Sequence, residues 1–269
     1  MSIEEMSAKD RRNALSSALG RTDELMDSFM DVLKQDFSAK QHEKRDFSDT
    51  AAMLIPDDEP VQEQTEPEVL FKEPEDDRLH MSYKALCADA STCKRCGLCT
   101  TRKSVVFGTG CQDRPVVMVI GEGPGENEDI QGLPFVGKAG QYLDRWLAAI
   151  SLSRETNVYI TNTVKCRPPQ NRDPYPEEKS ACNAFLKRQI QLVNPQAILC
   201  LGKPASTLMT GQPDATMGAL RGRFFFYDGI PMMCTYHPAA VLRDLNLKRP
   251  VWEDLKKLAR YLGLQMGGS

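Results

Sequence analysis

The sequence predicts an α/β domain, three layers deep (α/β/α) around a central, mostly parallel sheet, behind a helical and disordered N-terminal extension. Two observations predict the sheet. Short strand candidates recur at "VVMVI" (116–120), a continuous apolar run, and at "VYITNTV" (158–164) and "AILCLG" (197–202), as expected of strands in a sheet covered on both faces. Stretches with helical periodicity lie between them, the pattern of strand–helix–strand crossovers. A third observation predicts the extension. Residues 1–80 carry 10 Lys/Arg against 21 Asp/Glu, net −11, whereas residues 81–269 carry 24 against 16, net +8.

Residues 12–37 place Leu15, Leu19, Met26, Phe29, Met30 and Leu33 at helical spacing, so 1–40 reads as an amphipathic helical segment. It either docks loosely on the domain or binds a protein partner. From 41 to 80 the chain turns acidic and proline-bearing ("PDDEPVQEQTEPE"), too polar to bury a core, and reads as a disordered linker. The domain then spans 81–269. Within it, "KAGQYLDRWLAAI" (138–150) is a helix with Leu143, Trp146, Leu147 and Ile150 inward. A second helix, 176–193, opens with Pro and acids in its first turn. A helix over 203–210, strands near 224–227 and 231–236, and a closing helix over 251–262 complete the order.

Nine cysteines in a chain whose N-terminus is acidic and polar argue against a disulfide scaffold and for a reducing compartment with some thiols on metal. No apolar run approaches a membrane span. The basic domain suggests a polyanionic partner.

In parallel sheets chemistry collects just past the carboxyl ends of strands. After the first strand comes "GEGPGENEDIQGLPFVGKAG", with Gly121, Gly123 and Gly125 in a turn. It is not a dinucleotide cradle. The third glycine of that fingerprint would fall at Glu126, Pro124 lacks a donor, and Glu122, Glu126, Glu128 and Asp129 repel a pyrophosphate. Carboxylates at a strand end suit water positioning, proton transfer or cation stabilisation. The second strand ends at Asn162, whose amide can read a base edge, and the last apolar run ends at His237. "CKRCGLCTTRK" spaces Cys93, Cys96 and Cys99 as in a ferredoxin run, but the fourth position is Lys103. Four thiolates can instead come from Cys93, Cys96, Cys166 and Cys182; composition alone allows zinc as well as iron–sulfur.

"CKRCGLCTTRKSVVFGTG", "GEGPGENEDIQGLPFVGKAGQ", "TNTVKCRPPQNRDPYPEE" and "HPAAVLR" together resemble the family 4 uracil-DNA glycosylases, the iron–sulfur type, over roughly residues 85–262. The resemblance implies a [4Fe-4S] cluster on Cys93, Cys96, Cys166 and Cys182, ordering loops that touch DNA, with Cys99 left out. It implies that Phe135 stacks on a flipped uracil, that Asn162 pairs with uracil O4 and N3–H, and that Glu128 forms the wall excluding the thymine methyl. His237 would donate to uracil O2, and Glu122 would position water or stabilise the sugar cation. Gly121 and Gly123 complete the substrate pocket, Gly123 standing where other uracil glycosylases place Asp or Asn. Arg167, Arg172 and Arg243 would meet DNA phosphates. The partner implied is uracil-containing DNA, single- or double-stranded, and the setting a cytoplasmic, nucleoid-associated monomer. The competing readings are a covalent or non-turnover uracil binder on the same scaffold, or a metal-bearing module serving a polymerase. "KCRPPQNRDP" has neither the insert nor the His of the trapping branch.

Overall fold

The five-residue runs "VMVIG", "VYITN" and "AILCL" are buried at every position, so no face of these strands meets water and they must lie inside a sheet covered on both sides. The computed structural model describes residues 76–265. Strands β1 (Thr109–Gly110), β2 (Val117–Gly121), β3 (Val158–Asn162), β4 (Ala197–Leu201), β5 (Phe224–Tyr227) and β6 (Ile230–Thr235) form one sheet in the order β1-β3-β2-β4-β6-β5. The four inner strands are parallel, and β1 and β5 are antiparallel edges. From β2 the chain crosses outward to β3, then returns past β2 to reach β4. The strand order therefore reverses at β2, and a crevice opens there.

Helices cover both faces. On one, Met118, Ile120, Tyr159, Ile198, Cys200, Met232 and Cys234 pack against Leu186, Ile190 and Val193 of α4 (Pro176–Val193) and Ala205 and Met209 of α5 (Lys203–Thr210). Cys200 is core, as its apolar setting predicts. On the other face α8 (Lys248–Tyr261) is anchored by buried Asp254, which accepts from Thr235 Oγ1 of β6 at 2.7 Å and pairs with Arg221 at 2.8 Å. Helix α3 (Lys138–Ala149) buries Leu143, Trp146 and Leu147 as its periodicity predicts.

The short elements escape sequence reading. Helices α2 (Glu126–Gln131), α6 (Met217–Leu220) and α7 (Pro238–Arg243) are too brief for a period to emerge, and α1 (Tyr83–Ser91) buries only Leu86 and Ala90, so it shows no apolar stripe. Strand β3 stops at Asn162, not 164. There Thr163 and Val164 donate their N–H groups to Gly121 O and Glu122 O at 2.9 and 3.1 Å, which keeps the segment after β3 alongside the end of β2.

The helix expected over 12–37 and most of the linker expected over 41–80 lie outside the described residues. The end of that linker does not. Asp77–His80 form a 3₁₀ turn capped by Asp76, and Arg78 is buried, donating to Ala181 O at 2.8 Å and lying 4.7 Å over the Phe185 ring. The folded domain therefore begins by residue 76. Charge density reads as solvated chain, but pairing with Asp76 and stacking on the Phe185 ring offset part of the desolvation cost of burying this arginine.

Candidate active site

Register decides which residues meet. Gly121 at the end of β2 pairs with Asn162 at the end of β3, and Thr235 of β6 pairs with Leu201 of β4. The segments that follow, Glu122 to Gly125, Gly202 to Pro204 and Tyr236 to Ala240, line one cleft of about 710 Å³ together with Phe135, Asn162, the loop Pro168–Pro174 and Arg243.

Asn162 is 1% exposed, and its Oδ1 is buried without a hydrogen-bond partner among the described residues. Such an atom is costly unless a ligand completes it. Glycine at 121 makes room: a Cβ there would fall 2.6 Å from the Phe135 ring and closer still to Asn162 Oδ1.

Phe135 adopts φ 53°, a conformation rare for an aromatic residue, and its surroundings hold it there. Arg154 donates to its carbonyl at 2.9 Å while pairing with Asp144, and Val136 and Gly137 donate to Glu128 Oε1 at 2.8 and 2.9 Å. Gly125 donates to Glu128 Oε2 at 3.1 Å. Glu128 thus lines the cleft with both carboxylate oxygens engaged by the loop backbone. The Phe135 ring lies 5.5 Å from that of His237, tilted by 30°.

His237 caps α7. Its Nδ1 accepts from the Ala239 N–H at 3.1 Å, which places the single proton of the neutral ring on Nε2. Burial, then the nearby Arg243 cation, hold its pKa down at about 4, against a small opposing pull from Glu128. The ring is a neutral donor at any physiological pH.

Glu122 also has a buried oxygen, Oε1, without a partner among the described residues. Burial, then the Asp173 carboxylate, push its pKa up to about 7, with Lys179 pulling the other way. A carboxyl titrating near neutrality at a cleft floor is poised for proton transfer or for stabilising a cation.

The three expected phosphate contacts differ. Arg172 forks onto Glu178 at 2.7 and 2.8 Å and covers Tyr175 at 3.6 Å. Arg167 bonds Asn171 at 2.8 Å and faces Glu126 at 3.6 Å. Arg243 is exposed at the cleft rim and has no ion pair among the described residues.

A second, smaller cavity is lined by Cys93, Cys96, Cys166 and Cys182, and by Cys99 as well. N–H donors point at three of the sulfurs: Arg102 to Cys166 at 3.2 Å, the Lys165 backbone to Cys182 at 3.4 Å and Arg95 to Cys93 at 3.5 Å. Donors of this kind stabilise thiolates on a metal centre, so the donor set fits a sulfur-ligated cluster. Cys166 and Cys182 pack with Leu86, Leu98, Val164 and Phe185 in a small core of their own, next to the end of β3 that carries Asn162.

The uracil DNA glycosylase superfamily model matches residues 107–256. Type-4 uracil-DNA glycosylases of Archaeoglobus fulgidus and Thermotoga maritima are 40% and 42% identical to this chain, covering 64% and 63% of it and 89% of each relative. That of Saccharolobus solfataricus is 42% identical over 63% of the chain and 82% of its own length. The chain belongs to the type-4 uracil-DNA glycosylase family.

Two residues of this type-4 site went unread in the sequence. Asp173 looked like one more charge in a polar loop, and only the fold sets it against Glu122. Lys165 sits between Val164 and Cys166 in an apolar stretch, and it is 2% exposed. A lysine inside the apolar run "YITNTVKC" was the available signal.

Proposed function

We propose that this chain is a uracil-DNA glycosylase that hydrolyses the N-glycosidic bond of uracil in single- or double-stranded DNA. The observation that carries the reading is the convergence, in one cleft, of an unpartnered buried amide oxygen, an aromatic plate and a neutral histidine donor.

The target base must leave the helix, at a cost of a few kcal/mol. Phe135 then covers one face of the ring. The Asn162 amide meets uracil by donating to O4 and accepting from N3–H; cytosine presents the opposite polarity. As the C1′–N1 bond breaks, its electron pair passes to uracil, and the His237 Nε2–H donates to the charge growing on O2. The ionised Glu122 carboxylate faces the sugar cation and receives a proton from the water that adds to C1′. Glu128 acts through the loop it fastens, holding Phe135 and the 134–137 backbone where the thymine methyl would have to fit. Arg243 is the cation open to a phosphate; Arg167 and Arg172 shape the Pro168–Pro174 wall.

Cys93, Cys96, Cys166 and Cys182 would hold a [4Fe-4S] cluster, which when bound supplies a rigid anionic centre tying the post-β3 segment to the 93–96 turn and α4. Residues 1–40 are read as an amphipathic segment that docks loosely or binds a protein partner, on a nucleoid-associated monomer, and 41–80 as the linker, of which 76–80 join the folded domain. Among the described residues no helix is long and apolar enough to cross a membrane.

The test is turnover. Purified protein should be brown and, incubated with excess uracil-containing oligonucleotide, should release many equivalents of free uracil. Stoichiometric capture would indicate a binder. Cys93→Ala and Cys182→Ala should lose iron and the absorption near about 400 nm expected of thiolate-ligated clusters, and Cys99→Ala should keep both.

A further inference from the structure

The thiol cavity and the base-reading cleft share one side chain. Lys165 lines the cavity with the five cysteines. Its ammonium reaches back along β3, donating to Thr161 Oγ1 and to the main-chain carbonyl of Asn162, both at 2.7 Å. Its own backbone is pinned at both ends: its N–H points at Cys182 Sγ at 3.4 Å, and its carbonyl accepts from Val106 at 2.8 Å. Thr161 in turn donates to Phe107 O at 2.8 Å. No carboxylate forms an ion pair with this buried ammonium among the described residues, and its side chain shares the cavity with the Cys166 and Cys182 thiols. A buried ammonium persists only beside compensating charge, and thiolates on a metal centre are the compensation this fold offers.

Resting on the glycosylase reading above, we infer that Lys165 is a positioning residue with two roles: counter-ion to the thiolate centre, and strut that fixes the peptide of Asn162, so that the centre's charge is felt at the amide that reads the base. The strut acts on one specific bond. Both donors of the ammonium close a loop over residues 161–165, and the Asn162 carbonyl it holds belongs to the residue whose Oδ1 stands unpartnered in the cleft. Without the cation this carbonyl loses the ammonium donor, and the strand end is free to rotate the amide.

Lys165→Met keeps length and bulk and removes the charge and both donors. The variant should retain wild-type iron content, its cluster should have a more negative reduction potential because a neighbouring positive charge is gone, and single-turnover uracil release should fall by about tenfold or more, as for other buried polar groups left unpaired. Binding to undamaged DNA should not change. An iron-loaded variant in which the potential or the excision rate stays at the wild-type value overturns the inference, since each reports one of the two roles. If Lys165→Met fails to load iron or to fold, Thr161→Val decides: it removes one acceptor of the ammonium and leaves the thiols untouched. It should keep iron and potential while slowing excision, and an unchanged rate overturns the strut. Wild-type protein in the same assays separates the two levels: if it neither holds iron nor releases uracil, the glycosylase reading itself fails.

Discussion

Glu122 makes the pH profile of excision a direct readout of the cleft. Burial and Asp173 raise its pKa from the ordinary 4.5 to about 7, and the role assigned to it needs the ionised form. With that value about a tenth of the sites are ionised at pH 6 and about nine tenths at pH 8, so single-turnover release should rise about tenfold across that range. His237, held near 4, stays neutral throughout and adds no limb. The assay is release from a single-stranded oligonucleotide carrying one uracil, between about pH 5.5 and 8.5, with wild type and Glu122→Gln. The variant should be slow and flat. Asp173→Asn should move the midpoint towards lower pH by removing the second cause of the shift. Stability runs the opposite way. The folded-state pKa lies above the unfolded value, so the stabilisation from neutral Glu122 is complete below about 4.5 and is lost as pH rises through about 7. Glu122→Gln should therefore raise Tm at pH 8 and leave it unchanged at pH 4.5. A wild-type rate that is flat from pH 6 to 8, or a limb that survives in Glu122→Gln, would refute the assignment.

Three further outcomes are expected. Asn162→Asp replaces the amide donor with an acceptor facing O4; uracil release should fall about tenfold or more, matching roughly 1–3 kcal/mol for an unmatched buried group, and some cytosine release should appear from C opposite G. Gly121→Ala drives a methyl into the Phe135 ring and Asn162 Oδ1; overpacking of this kind costs about 1–3 kcal/mol, and denaturation should show that loss together with slowed excision. Deleting residues 1–75 should leave iron content and excision intact, whereas deleting 1–80 removes buried Arg78 and should lower Tm; equal melting of the two truncations would show that the Arg78 contact with α4 contributes nothing.

How much of this was legible without coordinates follows from the range of each interaction. The sheet was legible because a strand buried on both faces needs a largely apolar run: β2 and β4 each consist of one, and β3 opens with Val158, Tyr159 and Ile160. Helices α3 and α4 were legible because twelve and eighteen residues are long enough for a period to show. The motifs also placed Glu122, Asn162 and His237 just past strand ends, since the chemistry there depends on residue type and on position along the chain. What tertiary structure decided was pairing. Arg167 and Arg172 carry the same charge as Arg243, yet register and loop path give the first two carboxylate or amide partners and leave the third at the rim. Glu128 and Glu122 stand six positions apart in one acidic stretch; the fold turns one onto three backbone donors and half-buries the other beside Asp173, with Oε1 unpartnered among the described residues, so one fastens a loop and the other titrates near neutrality. Lys165 is the extreme case. Its environment consists of thiols, some from segments distant in sequence, and of the Thr161 hydroxyl and Asn162 carbonyl at the end of the preceding strand. Burial and partnership arise only when the chain closes on itself, so local sequence specified the elements and the identity of the reacting groups, and tertiary contact set their ionisation and their task.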